Sequence, residues 1–148
     1  MSDEKKITLL DFQKLRVTID AVGISRCLDF IGHTVRSIGT PEEIALRLEL
    51  AGDEVLSNIA HYAYEKPETG WVEVTFEIQI ETLRMTFTDA GCAFNLLNKE
   101  PFKTEEAGED RNPGGLGIHI VRSLFSDVIY RRENDLNILS IGVRYRDP

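Results

Sequence analysis

The chain has 148 residues, 42% hydrophobic and 28% charged, which suits one globular domain over residues 1–148 and excludes wholesale disorder. Its net charge of -8 argues against a general nucleic-acid binder, because neutralising phosphates requires clustered lysine and arginine. With no membrane-span-length apolar run, no signal-peptide core and only two cysteines, we expect a cytoplasmic protein that has no membrane partner and no disulfide framework.

The first half of the chain is predicted to contain two short strands and two helices. Short strands are predicted at Ile7–Leu10 and Leu15–Ile19, the second from the alternation of Leu15, Val17 and Ile19. Helical spacing then predicts a helix from Ile24 to Ile38, which stops at the following glycine. The second helix should run from about Pro41 to Tyr64, with the Thr40 hydroxyl as its N-terminal cap.

The second half is predicted to contain four strands and one helix. Period-two alternation indicates antiparallel strands at Trp71–Ile80 and Leu83–Thr88, joined by a tight turn. The polar stretch Ala90–Pro113 is interpreted as a lid, since a long loop inside a compact domain is usually functional. A helix over Gly117–Phe125 and a hairpin that turns at Asn134-Asp135 complete the chain.

Strands that are grouped apart from helices indicate the fold class. We predict an α+β two-layer sandwich in which helices cover one face of a mainly antiparallel sheet. The three motifs with chemical content then fall on defined elements of this fold.

The first motif is a carboxylate and an amide on the second helix. Glu54 and Asn58 are four residues apart and therefore project from the same helix face. One interpretation is an ordinary solvated surface. The other is that Asn58 supplies a carbonyl oxygen to Mg²⁺ while Glu54 orients or deprotonates an attacking hydroxyl group.

The second motif is Asp89-Ala90-Gly91, directly after a predicted strand. A turn after a strand commonly has this composition. Alternatively, the Asp89 carboxylate accepts a hydrogen bond from the exocyclic amine of adenine, which guanine lacks at that position, and Gly91 lets the backbone approach a flat ligand.

The third motif is the run Gly114-Gly115-Leu116-Gly117 before an amphipathic helix. Exposed backbone N–H groups at a helix start form an anion site, whereas a flexible hinge would have a similar composition. The spacing matches neither a Rossmann fingerprint nor a Walker motif.

As a set, these motifs resemble the GHKL ATPase superfamily, whose members share the Bergerat fold, and most closely its bacterial anti-sigma-factor serine/threonine kinase branch. Leu50–Ala60 resembles the N box of that family, Asp89–Phe94 its first glycine box and Gly114–Ile118 its second. The similarity extends from about Ala21 to Tyr145, with the motifs in the order and spacing of the family. Members often have histidine where this chain has Tyr62, so the end of the N box departs from the pattern.

The resemblance implies a role for each matched residue. Asn58 would be the Mg²⁺ ligand and Glu54 the catalytic base. The remaining matched residues would contact ATP itself, together with Asn58; they are Asp89, Gly91, Ala93, Gly114, Gly115, Leu116 and Gly117.

The resemblance also implies partners. Kinases of this branch transfer the γ-phosphoryl group of ATP to a small anti-anti-sigma (STAS-type) protein and alternate between that protein and a sigma factor. Relatives tend to dimerise, so a homodimer belongs to the implied assemblies.

Two functions from different classes therefore remain open at this point. In the first, the chain is a Mg²⁺-dependent serine/threonine protein kinase, which requires Glu54 to handle the hydroxyl proton. In the second, it is an ATP-gated binding module without turnover, for which Glu54 is dispensable while Asp89 and the glycines still matter.

Overall fold

The computed structural model describes residues 9–66, 69–98 and 114–146, with residues 114–118 described by their backbone alone. Within these ranges a five-stranded sheet has the strand order β1-β2-β3-β5-β4, and every neighbouring pair is antiparallel. The elements in chain order are β1 (Asp11–Thr18), α1 (Ala21–Ser37), α2 (Glu42–Tyr62), β2 (Trp71–Ile78), β3 (Thr82–Asp89), α3 (Gly114–Leu124), β4 (Asp127–Glu133) and β5 (Leu136–Arg144). The predicted α+β fold class is confirmed.

The core lies between the helices and one face of the sheet. Inward-facing residues of the central strands, such as Phe76 and Phe87, are buried together with Ile31 of α1 and Leu56 of α2. Each fully buried side chain of this size contributes roughly 1.5–3 kcal/mol of transfer free energy. The opposite face carries the alternating polar residues and remains open as a shallow hollow lined by residues such as Thr86.

The N-terminal strand differs from its prediction. The chain forms one strand, Asp11–Thr18, where two short strands were expected; Leu9 and Leu10 precede it, and Ile7 lies outside the described residues. This edge strand pairs with β2 from Asp11 opposite Ile78 to Thr18 opposite Trp71. The partner strand therefore sets its extent, because apolar residues alternate only in its second half, from Leu15 onward.

The junction between α1 and α2 also differs from its prediction. Gly39 ends α1 with a φ of 81°, a left-handed conformation that glycine adopts without strain. The Thr40 N–H then donates to the Val35 carbonyl and so belongs to the end of α1. Pro41 is the N-cap of α2 and makes no side-chain capping bond, so the predicted capping role of the Thr40 hydroxyl is wrong.

The predicted C-terminal hairpin is confirmed. Asn134 and Asp135 have φ values of 51° and 61°, as a two-residue type I′ turn requires. Among the residues that the structure describes, no helix is both long enough and apolar enough to cross a bilayer.

Candidate functional site

Asn58 is not part of a solvated helix surface. Only 1% of it is exposed, and its Nδ2 donates to the Glu54 carbonyl oxygen at 2.7 Å. Because polar side chains are rarely buried for packing alone, its burial indicates a further structural or functional role. The surface interpretation of this position is therefore wrong.

Glu54 lies one turn before Asn58 and is partly buried. Burial raises the pKa of its carboxyl group, and the negative charge of the neighbouring Asp53 raises it further. The Glu54 side chain thus lies in a partly desolvated position beside a buried amide, which is where a proton acceptor for a bound hydroxyl group can act.

Asp89 is the last residue of β3 and only 3% exposed. Its Oδ1 accepts two hydrogen bonds at 2.9 Å, one from the backbone N–H of Gly91 and one from Nδ2 of Asn137. Burial raises the pKa of the Asp89 carboxyl group, and the Asn137 bond, the Gly91 bond and the charge of Arg132 act in the opposite direction. Asp89 does form a local turn, but its carboxylate is also held from another strand.

The loop after Asp89 is attached to the C-terminal end of α2. The Cys92 N–H donates to the Ala63 carbonyl at 2.8 Å, and the Ala90 N–H donates to the Tyr64 hydroxyl at 2.9 Å. A Cβ atom at Gly91 would overlap the backbone of Ala63. The close approach that requires glycine at position 91 is thus made to the chain's own helix.

Helix geometry places Asn58 and Glu54 in line with this loop. At about 1.5 Å of rise per residue, they lie roughly 8 and 14 Å along the α2 axis from Ala63. The attachment point of the loop that follows Asp89, then Asn58 and then Glu54 therefore follow one another along α2.

A small cavity opens beside Asp89. Its volume is about 10 Å³, room for about one water molecule, whereas a cavity of roughly 150 Å³ accommodates benzene. Most of its walls are core residues of α2 and the sheet, but Phe94 is the last residue of the first glycine box and Leu96 begins the short 3-10 helix that follows. The cavity is therefore smaller than a planar base. The lining consists of Ile59, Ala63, Phe87, Asp89, Phe94, Leu96, Tyr130, Asn137 and Leu139.

The glycine run opens a helix, as predicted. α3 begins at Gly114 and packs against α2, so its N-terminus belongs to the same layer as Glu54 and Asn58. The part of the predicted lid from residue 99 to residue 113 lies outside the described residues, and Ala93 is exposed in the described part. The phosphate-binding role of Gly114, Gly115, Leu116 and Gly117 stays a prediction.

Three polar residues near Asp89 were not identified from the sequence. Asn137 bonds to Asp89, Tyr130 donates its hydroxyl to Asn137 Oδ1 at 2.6 Å, and Arg132 donates to the Gly91 carbonyl at 2.9 Å. Of these three, only Asn137 could have been found from the sequence. It is two residues before Leu139 and therefore lies on the same inward-facing side of the strand, where a polar residue is unusual.

The donor set fits Mg²⁺ better than a transition metal. An amide oxygen and a carboxylate are hard ligands, and Mg²⁺ is usually held by one or two such groups together with waters and substrate phosphates. Within the described ranges no group of three or more His, Cys, Asp or Glu side chains that could hold a metal is present. Asn58 with Glu54 nearby would therefore bind a metal only together with a phosphate ligand.

Comparison with known proteins identifies relatives of the chain. The family model of the histidine kinase-like ATPase domain matches residues 20–142. Serine-protein kinase RsbW of Staphylococcus aureus (strain MRSA252) is 27% identical over 134 residues, covering 86% of this chain and 84% of that protein. RsbW of Oceanobacillus iheyensis is 27% identical with coverages of 72% and 69%, and RsbW of Bacillus licheniformis is 28% identical with coverages of 55% and 53%.

Solved structures share the fold. The RsbU and RsbW domains of a Mycobacterium tuberculosis protein superpose with a TM-score of 0.60 at 11% identity, covering 92% of this chain and 33% of that one. The catalytic domain of histidine kinase ThkA gives a TM-score of 0.53 at 11% identity, with coverages of 92% and 98%. Since the family model matches most of the chain and the architecture agrees, the chain belongs to the histidine kinase-like ATPase domain family.

Proposed function

We propose that this protein is an anti-sigma-factor-type serine/threonine kinase. It binds ATP and Mg²⁺, transfers the γ-phosphoryl group to an anti-anti-sigma (STAS-type) partner in the cytoplasm, and regulates transcription by sequestering a sigma factor. Membership of an ATPase domain family supports nucleotide use. Relatives that are named serine-protein kinases, at 27–28% identity, support the kinase class.

The observation that carries the kinase proposal is the pair Glu54 and Asn58 on α2. Asn58 is buried although it is polar, and Glu54 is adjacent and still accessible. A binding module needs residues that hold the nucleotide but no proton acceptor next to the phosphates. The placement of a carboxylate there is what phosphoryl transfer to a hydroxyl group requires.

In the proposed reaction, the serine or threonine hydroxyl oxygen of the partner forms a bond to the γ-phosphorus while the bond from that phosphorus to the β–γ bridging oxygen breaks. The hydroxyl proton passes to the Glu54 carboxylate, and ADP leaves with the bridging oxygen. Asn58 would help to hold Mg²⁺, which would neutralise charge on the phosphates. Asp89 would bind the adenine amine, and the backbone N–H groups of α3's first turn would face the phosphates.

The test is transfer of radiolabelled phosphate to candidate anti-anti-sigma proteins encoded beside the gene. Glu54→Gln keeps the size of the side chain and removes its basicity, so we expect transfer to fall by about 10²–10⁴-fold, the usual contribution of a general base. ADP affinity should stay within about threefold, well under the tenfold that 1.4 kcal/mol represents.

Glu43→Gln is the matched control. Glu43 lies on the same helix, about two turns before Leu50, and forms an exposed pair with Arg47. Its substitution should leave transfer unchanged. Transfer by Glu54→Gln at the wild-type rate would show that Glu54 is not the base. ATP-dependent partner binding without any transfer in the wild-type protein would instead favour the ATP-gated binding module.

A further inference from the structure

The strongest feature outside the motifs is Asn137, near the start of β5. In the sheet register Asn137 lies directly opposite Asp89, and only 5% of it is exposed. Its neighbours on the same face of β5, beginning with Leu139, are core residues. An amide at an inward-facing strand position is costly to bury unless its hydrogen bonds are made.

All four hydrogen-bonding positions of the Asn137 amide are used. Nδ2 donates to Asp89 Oδ1 at 2.9 Å and to the Cys92 carbonyl at 2.8 Å. Oδ1 accepts from the Phe94 N–H at 3.2 Å and from the Tyr130 hydroxyl at 2.6 Å. Two donors and two lone pairs are the full capacity of the group.

These partners fix the orientation of the amide. The Asp89 carboxylate and the Cys92 carbonyl can only accept, whereas the Phe94 N–H can only donate, so an exchange of Oδ1 and Nδ2 would set like groups against each other. Asn137 therefore joins the Asp89 side chain to two backbone positions of the first glycine box. The base-facing carboxylate and the loop beside it form one connected unit.

The network also determines which Asp89 oxygen remains for a ligand. Both donors that the structure describes, Gly91 N–H and Asn137 Nδ2, bond to Oδ1. Oδ2 is the oxygen of this cavity-lining residue that is left to accept from a base.

We propose that Asn137 is a positioning residue that sets the purine specificity of the site. By binding Asp89 Oδ1, it leaves Oδ2 as the acceptor for the base. Oδ2 can accept from the amino group of a 6-aminopurine, whereas the carbonyl group of a 6-oxopurine would set a second acceptor against it. The inference rests on the proposed nucleotide function and goes beyond it, because it assigns discrimination to a residue outside the motifs.

Protonation of Asp89 explains why discrimination depends on Asn137. A carboxylate accepts from an amine, whereas a carboxylic acid presents an O–H that can donate to a 6-oxo group. Burial raises the pKa of Asp89, and the Asn137 bond is the largest of the opposing effects, ahead of the Gly91 bond and the charge of Arg132 on β4. Among the described residues, the phenol of Tyr64, two residues after α2, also faces Asp89.

The experiment compares the affinities of the whole protein for ADP and inosine diphosphate (IDP) by calorimetry, from mildly acidic to mildly alkaline pH. Asn137→Asp preserves size, removes both donors and adds a like charge beside Asp89. We expect the ADP-to-IDP affinity ratio to fall by about tenfold or more, because a hydrogen bond to a charged group contributes roughly 1.5–3 kcal/mol. The pH below which ADP affinity declines should move upward.

Two further variants make the result decisive. Asn134→Asp introduces the same change at an exposed position of the same hairpin and should leave the ratio unaltered. Asn137→Ser removes the amide without adding charge, so it should also lower the ADP-to-IDP affinity ratio. It replaces the aspartate variant in the experiment if that variant fails to fold.

The outcomes separate the two proposals. Equal losses of ADP and IDP affinity in the Asn137 variants, with no change in the pH profile, would overturn the specificity role and leave the nucleotide site standing. A wild-type protein that binds ADP and IDP alike, or neither, would overturn both the specificity role and the placement of adenine at Asp89.

Discussion

Replacing Asp89 by asparagine should reverse the polarity of the base site without disturbing its surroundings. Oδ1 of Asp89 accepts from Gly91 and Asn137, so the carbonyl oxygen of the new amide must occupy that position. The new NH₂ group then takes the place of Oδ2. A donor would face the amino group of adenine, which is also a donor.

The expected loss of ADP affinity has two contributions, the lost hydrogen bond to adenine and the unsatisfied donor of the new amide. The charge-assisted bond to adenine contributes roughly 1.5–3 kcal/mol, and an unsatisfied buried donor costs a further 1–3 kcal/mol. The sum corresponds to a loss of ADP affinity on the order of 10²–10⁴-fold. Affinity for IDP should fall much less or rise, because its 6-oxo group accepts from the new amide.

Calorimetric titration of the variant with ADP and IDP measures both effects in the absence of turnover. Asp29→Asn is the control, since it makes the same exchange at an exposed position of α1. If Asp89→Asn folds normally and loses less than about tenfold in ADP affinity, a difference of under 1.4 kcal/mol, the adenine contact is wrong.

Three other predictions follow from the same region and from the core. Gly91→Ala should lower the free energy of unfolding by about 1–3 kcal/mol in urea, because its Cβ overlaps the Ala63 backbone, and an unchanged midpoint would contradict that contact. Burial raises the pKa of the Cys27 thiol to about 11, so only the exposed Cys92 should react rapidly with a thiol reagent in the native protein, and both after denaturation; two fast native thiols would refute this packing. Burial holds the pKa of Asp89 above its unfolded value, so the ionised group destabilises the fold at neutral pH. The Asp89→Asn variant should therefore melt higher than wild type at neutral pH by a margin that shrinks as pH falls through the folded pKa, and a margin independent of pH would contradict the assignment.

The sequence was sufficient for the elements whose signals are local. The alternation from Trp71 and the Asn134-Asp135 turn predicted β2 and the closing hairpin, and the spacing of apolar residues predicted α1 and α2 to within a few residues of their bounds. The edge strand β1 was less accessible, because residues such as Gln13 and Lys14 are exposed and leave little alternation to read.

The missing parts of the site depend on distant pairings. Asn137 meets Asp89 across 48 residues, and the sheet register that sets them opposite each other is fixed by pairing between strands and not by either segment alone. Likewise, Gly91 was expected to let the backbone approach a ligand. The structure shows that it also lets the loop approach Ala63, a contact that the local sequence does not reveal. Local motifs predicted Asp89 and Gly91 as site residues, and tertiary contacts determine how these two residues are held.

α2 connects the proposed base site with the proposed proton acceptor Glu54. Its C-terminal end receives the first glycine box through the Cys92 and Ala90 hydrogen bonds, and its middle turns carry Asn58 and Glu54. α2 and the loop bonded to it would therefore set the distance between Glu54 and a base held at Asp89. None of the described hydrogen bonds around Asp89 involves the Glu54 carboxylate. Glu54→Gln should therefore remove the proposed proton acceptor and leave the Asp89 network intact. For this reason one variant can distinguish a kinase from an ATP-gated binding module.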